Sequence, residues 1–554
     1  MKLLKNYCFL LFSFLILMAQ LANLVATAAA VELDDTFRFA VLSDTHYYDT
    51  DLGVSGEAFE TYLSNDRKML EESGAILKSA VKAIVSEDVK FLLITGDLTK
   101  DGALSSHEEF AGYLATLEAQ GIQVLVIPGN HDVNNPHAYA YQGAETLSVP
   151  SVTPMTFSTI YGPYGYDQAL ERHADSLSYL AEPVEGLWVI AIDSCKYDDN
   201  QSEPETSGAI SPSTLTWILE ILERAEAQGK SVVGMLHHGM LEHFTGQSQV
   251  PVLGDEYVID NYETVAKTLR IAGLKLVFTG HHHAQDIVSA TWDGEDGTMD
   301  LFDVQTGSLV SYPSPYRVVT VSDSNRVSIE SGTITEIDFD TSGVSFPAYA
   351  YEKNFSGLVA QASSLLQGVY GVPVETATQL APMSATALLA YYAGDEVPST
   401  ETLQMIQSLM ADPQTAVLGR LLGSFWTDLR PADNNVELFL GAGVALKAGV
   451  AGQGVSLSLD MNLYDLSGKD ADWWLVQITP ENDLLSYDLK SGKFLSGLTP
   501  VYQGPVLPRL SLELPIMSDL AAGTTTFLFG VDLEMDGLSA GSIYYDAATL
   551  TVSP

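Results

Sequence analysis

Residues with metal-binding side chains follow five short apolar runs between positions 39 and 283. They stand in the fragments Ser43-Asp44-Thr45-His46, Gly96-Asp97, Gly129-Asn130-His131-Asp132, His237-His238 and Gly280-His281-His282-His283. Imidazole and carboxylate ligands favour Mn, Fe, Zn or Ni, and no thiolate accompanies them to make the site softer. In Asp-x-His and His-x-His, both side chains point to the same side of an extended segment. The fragments therefore predict a site for two divalent metal ions of unspecified identity.

The chemistry of such a site is phosphoryl displacement. Two neighbouring ions bind the attacking and leaving oxygens and lower the pKa of a water between them, and Asp97 has two oxygens with which to bridge them. Each fragment alone has an ordinary explanation. Asp97 could cap the following helix, Gly129-Asn130 could form a turn, and residues 281–283 could be a surface cluster. Five fragments in order, each at the end of an apolar run, favour the metal site.

The elements that must position these residues are buried strands and amphipathic helices. Runs rich in Val, Ile, Leu and Phe predict strands at Phe39–Leu42, Phe91–Ile94, Val124–Ile127, Trp188–Ile192, Val232–Leu236 and Leu274–Phe278. Helical patterns lie between them at Met69–Val85, His107–Gln120, Pro212–Gln228 and Tyr262–Ala272. This alternation predicts an α/β layered domain, in which sites form outside the carboxyl ends of the strands.

The order of the five fragments is similar to that of the calcineurin-like metallophosphoesterases. The resemblance covers about residues 37–330, and it implies a layered β-sandwich flanked by helices. The sequence between the fragments resembles that of a secreted bacterial branch of this family, which includes cyclic-nucleotide phosphodiesterases and carries a helical C-terminal appendage. The segments that carry this resemblance are Ser106-His107-Glu108-Glu109, Tyr161-Gly162, Asp175–Tyr179 and Asp260-Asn261. The resemblance implies hydrolysis of a small phosphate ester or diester by attack of metal-activated hydroxide on phosphorus.

The resemblance also implies a role for each matching residue. The ligands of the first ion would be Asp44, His46, Asp97 and His283, and those of the second would be Asp97, Asn130, His237 and His281. His131 would contact the phosphate and act as general acid toward the leaving oxygen, oriented by Asp132.

Three histidines leave alternatives open. His237 is preferred over His238 as the ligand because it comes first after the strand. His282, the middle residue of the triplet, is expected to point away from the ions and either to line the substrate pocket or to be exposed. His107 is expected to cap a helix or to support a ligand rather than to bind metal.

The remainder of the chain is predicted to form two further domains after the metallophosphoesterase domain at 31–350. Helical patterns at Phe355–Leu366, Ser384–Tyr392, Thr400–Met410 and Thr415–Leu422 predict a small helical appendage at 351–430. From 431 to 554, alternating segments predict an all-β sandwich, with strands at Val444–Ala451, Val455–Leu463, Trp474–Ile478, Leu510–Leu514 and Thr525–Leu533. This sandwich is expected to be either a passive spacer or a module that attaches the protein to a surface or a carbohydrate. Exposure of Trp473 or Trp474 would favour carbohydrate stacking.

The first thirty residues are predicted to be a signal peptide. Lys2 and Lys5 precede an apolar run at Cys8–Val25, and small residues follow at 26–30. A retained membrane anchor is the alternative, since the run approaches spanning length. The predicted product is exported to a periplasm or the extracellular space and has no membrane span after cleavage. Cys195 would be its one cysteine, so no disulfide within the chain is expected.

The charge of the chain restricts its partners. It carries 26 Lys and Arg against 71 Asp and Glu, a net charge of −45. Such a field repels nucleic acid, and no basic patch offsets it. Such an excess of acidic residues is typical of highly soluble proteins and of proteins from saline environments. Binding of further cations outside the predicted site is less favoured, because no Asp-x-Asp-x-Asp-Gly loop is present. The sequence thus predicts an exported phosphodiesterase. A phosphomonoesterase or nucleotidase is one alternative, and a surface-binding protein with an idle metallophosphoesterase domain is another.

Overall fold

The computed structural model describes residues 36–552 except 65, 251–253, 295–296, 323–324, 395, 412–414, 428, 430–435, 441–442, 452–453, 464–467, 508, 517–519, 521 and 534–542. The predicted signal peptide at 1–30 lies outside the described residues. Among the helices that are described, none combines the length and the apolar character needed to cross a bilayer.

Two mixed sheets form the centre of the N-terminal region. The first has the order β15-β14-β13-β1-β2-β3, with β1 (Phe37–Leu42), β2 (Phe91–Ile94), β3 (Gln123–Val126), β13 (Pro315–Val321), β14 (Arg326–Thr333) and β15 (Val436–Phe439). The second has the order β11-β12-β10-β9-β8-β7-β6, with β6 (Glu171–Arg172), β7 (Tyr179–Val184), β8 (Leu187–Ile192), β9 (Ser231–Leu236), β10 (Leu276–Thr279), β11 (Asp286–Gly294) and β12 (Gly297–Gln305). A separate hairpin pairs β4 (Tyr139–Gln142) with β5 (Glu145–Ser148).

Helices connect and flank the strands. They are α1 (Glu57–Leu63), α2 (Ser73–Ser86), α3 (Leu104–Glu118), α4 (Pro154–Ile160), α5 (Pro212–Ala227) and α6 (Tyr262–Ile271). Short helical turns lie at Thr50–Leu52, Gly162–Tyr166, Gln247–Gln249 and Asp255–Tyr257. Ser211 caps α5, because its hydroxyl accepts from the amide of Thr214, and Pro212 supplies a preset first helical residue.

The two sheets pack face to face around one apolar core. Strands β1, β2 and β3 are parallel to one another, as are β8, β9, β10 and β12, and most of their side chains are buried. Phe39 stacks on Phe91 with ring centroids 4.5 Å apart and meets Phe278 of the other sheet edge-on at 5.5 Å. The six predicted buried strands and the α/β layered fold are therefore confirmed.

Two further regions follow. The helices α7 (Phe346–Gly368), α8 (Val374–Ala393), α9 (Thr400–Ala411) and α10 (Ala416–Ser424) form a helical region whose first helix begins before the predicted boundary at 351. The C-terminal strands are β16 (Gly443–Ala451), β17 (Gly454–Asn462), β18 (Asp470–Ile478), β19 (Leu484–Asp488), β20 (Lys493–Ser496), β21 (Tyr502–Pro505), β22 (Arg509–Ile516), β23 (Gly523–Asp532) and β24 (Ile543–Val552).

The C-terminal region is all β, as predicted. Its sheets have the orders β16-β17-β22 and β20-β19-β18-β23-β24, with β21 paired to β18. They share a core that contains Leu457, Trp473 and Phe527. Trp473 and Trp474 are both buried, so neither presents a ring for stacking on a carbohydrate. Strand β15 lies beyond the predicted boundary at 431, yet it pairs with β14 of the first sheet.

Candidate metal centre

The predicted ligands come from loops at the carboxyl ends of parallel strands in both sheets. Asp44, Asp97 and Asn130 follow β1, β2 and β3 of the first sheet, whereas His237 and His281 follow β9 and β10 of the second. Because these strands are parallel within each sheet, their carboxyl ends meet at one edge. The fold therefore brings together side chains that are up to about 240 residues apart in the sequence, such as Asp44 and His283.

A first cluster joins Asp44, His46 and His283, all of them buried. The Nε2 atoms of His46 and His283 are 3.1 Å apart. Asp44 Oδ1 lies 3.3 Å from His283 Nε2 and 3.8 Å from His46 Nε2. Asp97 Oδ2 lies 3.6 Å from His46 Nε2. These four side chains are the predicted ligands of the first ion.

A second cluster joins Asp97, His237 and His281. His237 Nε2 lies 3.4 Å from Asp97 Oδ2 and 3.1 Å from the side-chain oxygen of Asn130. The same Asp97 oxygen thus faces both clusters, the position that a bridging carboxylate needs. The four side chains are the predicted ligands of the second ion.

The polar atoms of the clusters fit divalent cations. Asp44 Oδ1 and His46 Nδ1 are buried and have no hydrogen-bond partner among the described residues. Burial opposes ionisation of Asp97, but the imidazoles of His237 and His131 outweigh it and hold the pKa of this carboxyl well below its usual value. A buried, ionised carboxylate among nitrogen donors is costly unless a cation compensates it. Oxygen and imidazole donors without thiolate suit the metals expected from the sequence.

Backbone conformation at the site is unusual. Asp44, His46, Asp97, His281 and His283 all have positive φ, between 36° and 70°. Left-handed conformations of residues other than glycine cost of order 1–3 kcal/mol each and concentrate at functional sites. Glycine neighbours make room for these turns: a Cβ on Gly129 would lie 2.1 Å from Asp97 Oδ1, and one on Gly280 would lie 1.8 Å from the Ser43 hydroxyl.

His131 borders the first cluster, and its side chain is 22% exposed. Its Nε2 is 4.0 Å from Asp97 Oδ2, and its Nδ1 is 2.9 Å from Asp101 Oδ1. Burial opposes protonation of His131, but Asp97 and Asp101 outweigh it and raise its pKa. Lys100 forms an ion pair with Asp101, and its Nζ lies 3.9 Å from the centre of the Tyr62 ring.

The prediction that Asp132 orients His131 is wrong, because Asp101 occupies that position. The buried Asp132 carboxylate accepts hydrogen bonds from the amides of Leu98, Thr99 and Gly129. It therefore fixes the loop that carries Asp97 rather than the imidazole beside it. Asp132 remains at the site in a supporting position.

Comparison with known proteins agrees with this geometry. Residues 37–285 match the family model described as calcineurin-like phosphoesterase. The chain contains a calcineurin-like phosphoesterase domain. Within a curated protein named as a probable cyclic nucleotide phosphodiesterase, from Ruthia magnifica, a stretch of 59 residues is 39% identical to this chain. That stretch covers 11% of this chain and 24% of the relative, so the chain spans about a quarter of the relative's length.

The chain also matches solved structures at low identity and low TM-score. They include a dimetal phosphatase from Danio rerio, with 14% identity and a TM-score of 0.37, over 55% of this chain and 98% of that one. A putative 5'-nucleotidase from Staphylococcus aureus has 15% identity and a TM-score of 0.31, over 58% and 57%. A purple acid phosphatase from yellow lupin has 10% identity and a TM-score of 0.33, over 54% and 51%.

The remaining histidines of the calcineurin-like domain lie outside the two clusters. His238 is bonded through Nδ1 to the Ser194 hydroxyl and through Nε2 to the Thr206 carbonyl, whereas His237 is in the second cluster. His282 is buried against Tyr257. His107, on α3, contacts the hydroxyl of Tyr161 and the carbonyl of Asp132, so it supports the loop that follows β3.

Two cations beside the site carried no signal in the sequence. Arg67 lies in the loop between α1 and α2, and its guanidinium is 3.2 Å from Nδ1 of His283. Burial and this guanidinium lower the pKa of His283 to about 4. Lys68, paired with Asp66 at 3.4 Å, is the next residue, and its side chain is 9% exposed. No motif marks either residue, because the loop lies far from the ligands in sequence.

A buried ion-pair cluster supports the loop after β9. His243 Nδ1 lies 2.7 Å from Asp286 Oδ2, and its Nε2 lies 3.3 Å from Asp303 Oδ2. Asp303 also accepts from the amides of Met240 and Leu241, which follow the ligand His237. All three charged side chains are buried.

Replacing His243 by glutamine is expected to lower the free energy of unfolding by about 3–5 kcal/mol, because two buried carboxylates lose their counter-charge. Burial opposes protonation of His243, but Asp303 and Asp286 outweigh it and raise its pKa to about 10. The unfolded value is about 6.5. The stabilisation is therefore complete below about pH 6.5 and is lost as the pH rises through 10.

The free energy of unfolding is measured in urea at about pH 6.5 and about pH 9.5. A chelator is present, so that the pH dependence of metal binding does not contribute. The wild type should lose more stability between the two pH values than the His243→Gln variant. Equal losses in both proteins would show that His243 is not charged in the folded state.

Proposed function

We propose that this domain is an exported phosphodiesterase that uses two divalent metal ions, with cyclic nucleotides among its substrates. Metal-dependent hydrolysis is supported above all by the position of Asp97 between the two buried clusters. The diester preference rests on the short stretch of identity to the probable cyclic nucleotide phosphodiesterase. Export rests on the pattern of the first thirty residues.

Each residue of the site has a task in this proposal. Asp44, His46, Asp97 and His283 would hold one ion, and Asp97, Asn130, His237 and His281 would hold the other. When bound, the ions supply electrophilic stabilisation and a water of lowered pKa. His131 borders the first cluster with a side chain that is 22% exposed, so it faces the bound ester and donates a proton to the leaving oxygen. Asp101 accepts from Nδ1 of this imidazole and, together with Asp97, raises its pKa, which favours the protonated form that a general acid needs.

A phosphomonoesterase is the second candidate, and Arg67 and Lys68 are the observation that favours it. Two further cations beside the ion sites suit a dianionic phosphate better than a diester, which carries one charge. The idle-domain alternative is disfavoured, because every predicted ligand stands at the two clusters.

Removing the ions is expected to abolish hydrolysis and adding Mn back to restore it, because neither cluster retains an electrophile without them. The measurement is hydrolysis of bis-p-nitrophenyl phosphate and p-nitrophenyl phosphate, before and after dialysis against a chelator, with bound metal determined by elemental analysis. A higher kcat/KM for the diester supports the first candidate, and a higher value for the monoester supports the second. Activity that survives complete removal of metal would contradict both.

N-terminal sequencing of the secreted protein tests the predicted cleavage near residue 30.

A further inference from the structure

The histidines predicted to bind the second ion each have a carbonyl partner. Nδ1 of His237 lies 2.8 Å from the carbonyl oxygen of Thr95, and Nε2 of His281 lies 3.2 Å from that of Glu256. A carbonyl oxygen only accepts, so it holds the proton of the neutral imidazole on the nitrogen that it contacts. The other nitrogen keeps its lone pair. Both imidazoles are therefore in the tautomer that a metal ion needs.

His283, at the first ion site, has the opposite arrangement. Its Nδ1 is 3.2 Å from the guanidinium of Arg67. A guanidinium has N–H donors and no acceptor, so this contact uses the lone pair of Nδ1. The proton of the neutral imidazole then lies on Nε2, which is 3.3 Å from Asp44 Oδ1 and 3.1 Å from Nε2 of His46. The nitrogen that faces the first cluster thus carries a proton where an ion needs a lone pair.

The carboxylates of the first cluster do not share this obstacle. Asp44 Oδ2 accepts from the Ser43 hydroxyl at 2.5 Å and from the amide of His281 at 2.9 Å. These two bonds fix the carboxylate and leave Oδ1 for the cluster. Asp97 Oδ2 lies 3.6 Å from His46. The resistance to an ion at this site therefore comes from His283 and its partner.

We propose that Arg67 weakens binding of the first ion, because it holds His283 in the tautomer whose proton occupies the metal-binding nitrogen. This rests on the proposed function, since it concerns the same pair of ions. When Nε2 binds the ion, its proton passes to water and Nδ1 takes one up, so the charge of the imidazole is unchanged. An N–H on Nδ1 then faces the N–H groups of Arg67, and their contact is lost.

The expected size of the effect follows from the usual influence of such partners. Groups that contact the outer nitrogen of a histidine ligand change metal affinity by about 10- to 100-fold. A carbonyl in that position favours the ion, whereas the guanidinium of Arg67 opposes it. The first site therefore loads only at higher metal concentration, and Arg67 makes hydrolysis depend on the supply of metal.

Calorimetric titration of the metal-free protein with Mn measures the affinities of both sites. Arg67→Met removes the guanidinium and keeps an unbranched side chain, so one of the two ions should bind at least about tenfold more tightly. Arg420 is exposed on α10, so Arg420→Met should leave both affinities unchanged and serves as the matched control. Affinities that are equal in the wild type and in a folded Arg67→Met variant would overturn the inference.

A second substitution shows which ion is affected. His46→Ala removes a predicted ligand of the first ion, so this protein should retain the second ion alone. Adding Arg67→Met to it should leave the affinity of the remaining ion unchanged. A tenfold gain there would show that Arg67 acts through its charge on both sites, and the assignment to His283 would be wrong.

The tautomer itself can be observed without any change at Arg67. Long-range proton–nitrogen NMR correlations of histidine-labelled protein distinguish the two tautomers, and the signals of His283 are those missing from the His283→Gln variant. In the metal-free wild type His283 should carry its proton on Nε2, and in the Zn-loaded protein on Nδ1. A metal-free His283 with its proton on Nδ1 would overturn the inference even if Arg67→Met does not fold.

Failure of the proposed function gives a different result. A wild type that binds two ions and hydrolyses phosphate esters, with affinities that do not respond to Arg67→Met, refutes only the role of Arg67. A wild type that binds two ions and hydrolyses no ester refutes the phosphodiesterase, while the titrations still decide the role of Arg67. A wild type that binds fewer than two ions at millimolar Mn refutes both.

Discussion

Replacing Asp97 by asparagine is expected to lower kcat/KM for every phosphate ester by at least about 1,000-fold. The bridging position at 3.4 Å from His237 and 3.6 Å from His46 makes Asp97 the one carboxylate that both clusters share. Asparagine keeps the shape but removes the charge that compensates both cations. A loss of several kcal/mol of transition-state stabilisation corresponds to three or more powers of ten in rate.

Metal analysis separates this effect from misfolding. The Asp97→Asn variant should bind fewer than two ions per chain while its circular dichroism spectrum stays that of the wild type. Asp175 is exposed, so the same exchange at Asp175 should leave both metal content and rate unchanged and serves as the control. An Asp97→Asn protein that retains two ions and full activity would show that Asp97 does not bridge.

The sequence predicted the fold of the N-terminal region because its parallel strands are buried on both faces. Such strands are continuous apolar runs, so β1, β2, β8 and β9 stood out from the helices around them. The ligand-bearing fragments were recognisable for a related reason, since each stands directly after a run. Short or half-exposed strands such as β5 and β20 lack that pattern, and no prediction covered them.

The supporting residues could not be predicted, because their contacts depend on how separate loops meet. Asp101 reaches His131 across 30 positions, and the left-handed turn at Gly102, with φ of 70°, follows it. Asp132 is adjacent to His131 in sequence, yet its carboxylate is used by three backbone amides. Adjacency in sequence was therefore a poor guide to which carboxylate orients the imidazole. Arg67 is remote from every ligand in sequence, so only the folded chain places it beside His283.

This distinction between Asp101 and Asp132 leads to the second large expected effect. His131→Ala should lower kcat by about 100- to 10,000-fold, the usual contribution of a positioned general acid. The loss should be greatest for esters with poor leaving groups, such as alkyl phosphates, because an alkoxide needs the proton more than p-nitrophenolate does. Metal content should stay at the wild-type value, since Nε2 of His131 is 4.0 Å from Asp97 and outside the predicted ligand set.

Asp101→Asn should reproduce the leaving-group dependence of His131→Ala at a smaller magnitude, because an amide oxygen can still accept from Nδ1 of the imidazole but lacks the charge that helps to raise its pKa. Asp132→Asn should instead lower thermal stability and metal content, because the amides of Leu98, Thr99 and Gly129 lose a carboxylate acceptor. A plot of log kcat against leaving-group pKa for the three variants tests the assignment. If Asp132→Asn steepens that plot and Asp101→Asn does not, the orienting carboxylate is Asp132 after all. If only the His131 and Asp101 variants steepen it, the proton reaches the leaving oxygen from an imidazole held by Asp101.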